Sequence, residues 1–172
     1  MSAILAVHPH NFDNGLLKRK IPSFVKSSKL PVYWVPDGDK EPYGGHKIYD
    51  RKIIRSQALG RYGRASLKSK TAQKLVKRND TIFILGGNFD ECIASAYNSL
   101  VRAANELQNQ INLIIITDLT YVQAKKSREV WTLQKVEKEK GGIPEKLLQK
   151  FQDSKYTNRG YIKASKVLKA TT

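Results

Sequence analysis

The stretch from Thr81 to Thr120 reads TIFILGG, NFDECIASAYNSLVRAANELQNQ, INLIIITDLT. A short apolar run enters a Gly-Gly turn, a long segment follows with apolar residues three and four apart, and a second apolar run closes the unit. Runs of four to seven apolar residues bounded by turn formers read as strands buried on both faces. Between them Cys92, Ala96, Leu100, Ala103, Ala104 and Leu107 form one stripe of a helix. A strand, a helix and a strand joined by short connections imply a parallel pair with a crossover helix. Cys92, the only cysteine of the chain, falls where the helix begins. A thiol there meets the positive end of the helix dipole and unpaired amides, a favourable place for a nucleophile.

Working outward, Ala3–Val7 is another apolar run, and His8-Pro-His-Asn-Phe-Asp-Asn-Gly15 breaks it. Leu16–Ser28 has near-helical apolar spacing, with Pro22 expected to start or interrupt the helix rather than sit within it. Leu30–Val35 reads as a second strand, Pro36–Gly45 as a loop, Ile53-Ile54 as part of a short strand, and Ser66–Arg78 as a basic amphipathic helix. Thr81–Leu85 and Asn112–Thr117 complete the strands. Ser127–Lys140, Pro144–Phe151 and Tyr161–Lys169 read as polar helices. The expected architecture is α/β: a three-layer, Rossmann-like parallel sheet with helices on both faces and a helical C-terminal extension. Residues 1–125 form the core and 126–172 a basic helical segment packed on it. In such sheets ligands sit at the carboxyl ends of strands. That places the loops His8–Asp13, Asp37–His46, Gly86–Cys92 and Asp118–Tyr121 on one edge.

Those residues resemble the isochorismatase-like cysteine hydrolases, the family that includes the nicotinamidases. Gly86-Gly-Asn-Phe-Asp-Glu-Cys-Ile-Ala-Ser-Ala96 is similar to the family's Gly, variable residues, Asp, one residue, Cys and alanine-rich helix. The resemblance spans Ala3 to Gln123 and is most specific at Gly86–Ala96. It implies that Cys92 is the nucleophile and that a small amide is cleaved at its C–N bond. Amides near Phe89, Asp90 and Glu91 would hold the oxyanion. The family's catalytic Asp falls on His8, whose unperturbed pKa of about 6.5 suits proton transfer. The family's Lys has Lys52 and Arg55 as its nearest counterparts. Asp90 and Glu91 work against a thiolate by like-charge repulsion. The reading favours a diverged member with weakened or lost catalysis over a fully active one. It requires no cofactor. Asp37, Asp39 and His46 stand where nicotinamidases resemble this chain in their metal ligands, so a divalent ion there is the minor alternative to a solvated turn. The family also implies oligomer formation.

Charge supplies the competing reading. Lys and Arg total 31 against 15 Asp and Glu, a formal net charge of +16. Such an excess suits a polyanionic partner, DNA, RNA or an acidic protein surface. Arg51, Arg61, Tyr62, Arg64, Lys68 and Lys70 gather cations around an aromatic ring in one segment, a pattern that follows phosphates and stacks bases. The same scaffold would then serve nucleic-acid binding or assembly. A third reading groups His8, His10, Asp13 and Asp37 as a metal-dependent nuclease site. No segment is long and apolar enough for a membrane span. The single cysteine and the absence of a basic, apolar leader point to a cytoplasmic setting.

Overall fold

The computed structural model describes residues 1–9, 15–35, 52–53, 56–57, 66–123 and 129–171. Strand β1 (Ser2–Val7) lies at the centre of a seven-stranded sheet. On one side it pairs in parallel with β2 (Val32–Val35), which in turn pairs with β3 (Lys52–Ile53). On the other side it pairs with β6 (Thr81–Gly86), and β6 pairs with β7 (Ile111–Gln123). A separate two-stranded ribbon joins β4 (Ser56–Gln57) to β5 (Ser66–Leu67).

Alternation along the strands sorts the core into two apolar layers, because successive side chains leave a strand on opposite faces. Leu5, Val7, Ile82, Ile84, Leu113 and Ile115 meet α2 (Ser69–Arg78) and α3 (Ala94–Leu107). Ile4, Ala6, Phe83 and Leu85 meet α1 (Gly15–Ser28) and α6 (Ala164–Thr171). Helix α1 runs unbroken with Pro22 inside it, contrary to the expectation that proline would mark its start or an interruption. Ile21, Phe24 and Val25 bury against the sheet around it, and that packing holds the helix where its own propensity is poor.

Two further expectations about the core are corrected. Ser66 and Leu67 form β5 rather than the first turn of α2. The Leu67 amide donates to Ser99 Oγ at 3.0 Å, and Ser66 Oγ lies 3.3 Å from the same hydroxyl, so the strand is tied to α3. Asp118–Tyr121 is not a loop: β7 continues through it to Gln123. Its register against β6 jumps, Ile84 opposing Ile115 while Gly86 opposes Thr120. The irregularity reverses which face odd-numbered residues occupy. Leu113 and Ile115 enter one core layer, Leu119 and Tyr121 the other.

The C-terminal segment is more than a set of helices. Val130–Thr132 forms β8, antiparallel to the end of β7, so the sheet is mixed though mostly parallel. Helix α4 (Leu133–Lys140) begins where Thr132 Oγ1 accepts from the Lys135 amide at 3.1 Å and ends at Gly141, φ +68°. Such caps satisfy the orphan amides and carbonyls of a helix end. After α5 (Glu145–Leu148) comes β9 (Thr157–Ile162), parallel to β7 from Ile111 to Ile116. The expected helix over Tyr161–Lys169 therefore starts later, at Ala164, whose amide donates to Asp118 Oδ1 at 2.8 Å.

Candidate active site

The carboxyl ends of β1, β6 and β7 meet with almost no spare volume. Gly86 takes φ +106°, and a Cβ there would lie 1.9 Å from the carbonyl oxygen of Val7. Only glycine fits both the backbone angle and the approach. At Gly87 an added Cβ would fall 2.4 Å from the Tyr121 ring. The Gly87 amide donates to Val7 O at 3.0 Å. Tyr121, 1% exposed, covers the turn and donates its hydroxyl to the carbonyl oxygen of His8 at 2.7 Å.

His8 follows β1 directly and is 2% exposed. Its φ of +44° is in the left-handed region, uncommon for a residue with a side chain. Both of its backbone groups are held, the amide by Val35 O at 3.0 Å and the carbonyl by Tyr121. A conformation that costs roughly 1–3 kcal/mol persists only when neighbours impose it. Thr120, opposite Gly86 in the sheet, is fully buried, and its hydroxyl has no hydrogen-bond partner among the described residues.

From Gly87 the chain enters a wide turn of π type, Phe89–Ile93, rather than running straight into an α-helix. Asn88 organises it. Its carbonyl accepts from the amides of Glu91 at 3.2 Å and Ile93 at 3.0 Å, while its side-chain oxygen accepts from the Gln123 amide at 3.1 Å. Phe89 and Ile93 are completely buried. Cys92 between them is half-buried and packed at the margin of the larger core layer. Asp90 and Glu91 flank it, and Asp90 Oδ1 is buried with no hydrogen-bond partner among the described residues. Wide turns of this kind recur at functional sites because they re-aim side chains out of the regular helix.

The C-terminal segment braces this turn. The Phe89 and Phe151 rings are 4.8 Å apart, and Tyr97 meets Phe151 edge-on at 5.1 Å. Arg159 of β9 lies over both, 5.8 Å from Tyr97 and 5.5 Å from Phe151, and pairs with Asp153 at 3.4 Å. Burial pushes the Tyr97 phenol above its usual 10.0, against the opposing pull of Arg159.

Of the residues singled out from sequence, the fold brings His8, Phe89, Asp90, Glu91 and Cys92 to one edge, in the segments that follow the adjacent strands β1 and β6. Lys52 is placed two strands away from β1, in β3, opposite Tyr33. Lys68 and Lys70 are exposed around the start of α2. Arg51, Arg55, Arg61, Tyr62, Arg64, Asp37, Asp39, His46, His10 and Asp13 lie outside the described residues. Among the described residues no cluster of three metal-ligating side chains occurs, and no helix is long and apolar enough to cross a membrane. Sequence reasoning missed Asn88 and Tyr121. An asparagine straight after Gly-Gly is the one signal that could have marked the first, since such residues bond to nearby backbone.

No family model and no curated protein sequence matches the chain. Solved structures do. A protein of Oleispira antarctica described as an isochorismatase hydrolase superposes with a TM-score of 0.57 at 13% identity, over 98% of this chain and 96% of its own. The fold is isochorismatase-like. The same fold is matched by YcaC from Pseudomonas aeruginosa, in a structure with covalent acrylamide, at TM-score 0.56 and 14% identity, over 97% of this chain and 78% of the other. It is matched again by the MAR1 ribonuclease of Caenorhabditis elegans, at TM-score 0.52 and 13% identity, over 98% and 88%. At these identities the isochorismatase-like likeness is one of fold.

Proposed function

We propose that this chain is a diverged cysteine hydrolase on an isochorismatase-like scaffold, with Cys92 kept in place and its chemistry weakened. One observation carries the reading. A half-buried thiol sits on the turn after β6, while the adjacent end of β1 offers a sealed histidine in a constrained backbone. The reaction is hydrolysis of the C–N bond of a small amide. Cys92 Sγ attacks the carbonyl carbon and its proton passes to the His8 imidazole. Amides of the Phe89–Cys92 turn, apart from that of Glu91, which the Asn88 carbonyl holds, stabilise the oxyanion. Collapse breaks the C–N bond, the amine leaves with the proton, and water then cleaves the thioester to release the acid and regenerate the thiol. Weakening follows from the environment: imidazole replaces the carboxylate that the family resemblance implies as base, and two acidic residues flank the thiol. No cofactor enters this chemistry.

The expected outcome with a panel of small primary amides is slow turnover. Its kcat/KM should fall below the roughly 10⁴ per molar per second of ordinary enzymes, and Cys92→Ser should abolish it. Turnover that survives Cys92→Ser overturns the reading, as does a wild-type protein with no turnover and a thiol inert to alkylation.

A second reading, binding of a polyanion, is favoured by the net charge of +16 and by exposed Lys68, Lys70, Lys74, Lys77 and Arg78, with no carboxylate in α2. Two structural neighbours are named ribonucleases. Hydrolysis and polyanion binding occupy different surfaces, so both can hold.

A further inference from the structure

We infer that α1 and α6 together form a binding face for a nucleic-acid backbone, on the side of the sheet away from α2. This rests on the second reading above and adds where the partner lies and what it is. The two helices come from distant parts of the chain and pack against each other. They turn Ile21, Phe24, Val25 and Val167 inward over Ile4, Ala6, Phe83 and Leu85. Exposed on their outer side are Arg19, Lys20 and Lys26 from α1, with Lys163, Lys166 and Lys169 from α6 and the residue before it. Lys163, Lys166 and Lys169 stand three residues apart, a spacing that stacks side chains on one helical face.

Neither helix contains a carboxylate. Like charges at such spacings repel, and a merely solvated helix face relieves this by mixing signs. The opposite layer mixes them outside α2: α3 brings Glu106, which accepts from Gln73 of α2 at 2.7 Å, and Glu137, Glu139 and Glu145 interrupt the lysines of α4 and α5. The α1 and α6 layer has no such relief within its helices, and a row of phosphates would supply it. Exposed Ser23, Ser27 and Ser165 stand between the cations, small hydroxyl donors that let a phosphate approach closely. A nucleic acid fits better than a bilayer. Among the described residues the exposed large apolar side chains are Met1 and Tyr161, neither in α1 or α6, so the described part of this face lacks an apolar wedge to enter lipid.

The test is fluorescence anisotropy with labelled single- and double-stranded RNA and DNA oligonucleotides, across a salt series, on the full chain. The triple variant Lys26→Glu, Lys166→Glu, Lys169→Glu should weaken binding by at least about tenfold and flatten the dependence of affinity on salt, since fewer counterions are released. Lys138→Glu, Lys140→Glu, Lys146→Glu makes the same change of net charge on the opposite layer, and it should weaken binding by less than about threefold. Should the first triple variant fail to fold, neutralising Lys26, Lys166 and Lys169 to Gln replaces it, with a smaller loss of the same order between faces. Equal losses from both faces would mean net charge alone, and overturn the assignment. A greater loss from Lys68→Glu, Lys70→Glu, Lys74→Glu would move the partner to α2 and leave the second reading standing. No binding to any oligonucleotide at low salt would remove both. Tighter association with phosphatidylserine vesicles than with oligonucleotides would overturn nucleic acid as the partner.

Discussion

The turn at Gly86-Gly87 and the turn that carries Cys92 are separated by a few residues, yet they obey different constraints. The first has no freedom. Gly86 touches the backbone of Val7, Gly87 touches the ring of Tyr121, and neither accepts a methyl group. The second is half-open, and its thiol sits at the margin of the core rather than inside it. The constraints of the first turn are steric and independent of any reaction, so they preserve the scaffold whatever happens at the thiol. Divergence in chemistry with retention of fold is the expected result of such a division.

The sharpest way to break the comparison is Gly86→Ala. The clash is with backbone, which cannot rotate aside, and the positive φ adds strain. A loss of at least ~3 kcal/mol is expected, seen as a fall in Tm of roughly 6–12 °C for a chain of this size or as failure to accumulate folded protein. A normal melting curve would show that the junction has slack. Tyr121→Phe comes next: it keeps the ring over Gly87 and removes the donor to His8 O, leaving a buried carbonyl short of a partner. Denaturant titration should report a loss of about 1–2 kcal/mol, and no loss would mean that His8 is held without that bond. The smallest effect is expected of Cys92→Ser, below ~1 kcal/mol by the same titration, because the side chain is only half-buried. A loss comparable to that of Tyr121→Phe would recast Cys92 as a packing residue and weaken its claim to chemistry.

Elements whose apolar residues repeat at the strand or helix period are legible in the amino-acid sequence itself. Ala3–Val7, Thr81–Leu85 and the stripe from Ala96 to Leu107 correspond to β1, β6 and α3 within a residue or two. Strand β9 is illegible for the opposite reason. Thr-Asn-Arg-Gly-Tyr-Ile is half-exposed and largely polar, and it becomes a strand because β7 offers it a free edge, which is tertiary context rather than propensity. The wide turn at Phe89–Ile93 reads as helix in the sequence, since a change in hydrogen-bond step leaves no mark on residue type. For the site, Cys92 and His8 are marked by position at strand ends. The pair that arranges them, Asn88 and Tyr121, acts through bonds to backbone, and such bonds carry no periodic signature.

Strand β9 also bears on the order in which the molecule can be assembled. During synthesis β7 is complete once residue 123 has been added, but the strand that covers its far edge ends at residue 162. Whenever β9 is undocked, in a newly made or a transiently opened chain, Ile111–Ile116 is an unsatisfied, strongly apolar template, open to pairing with another polypeptide.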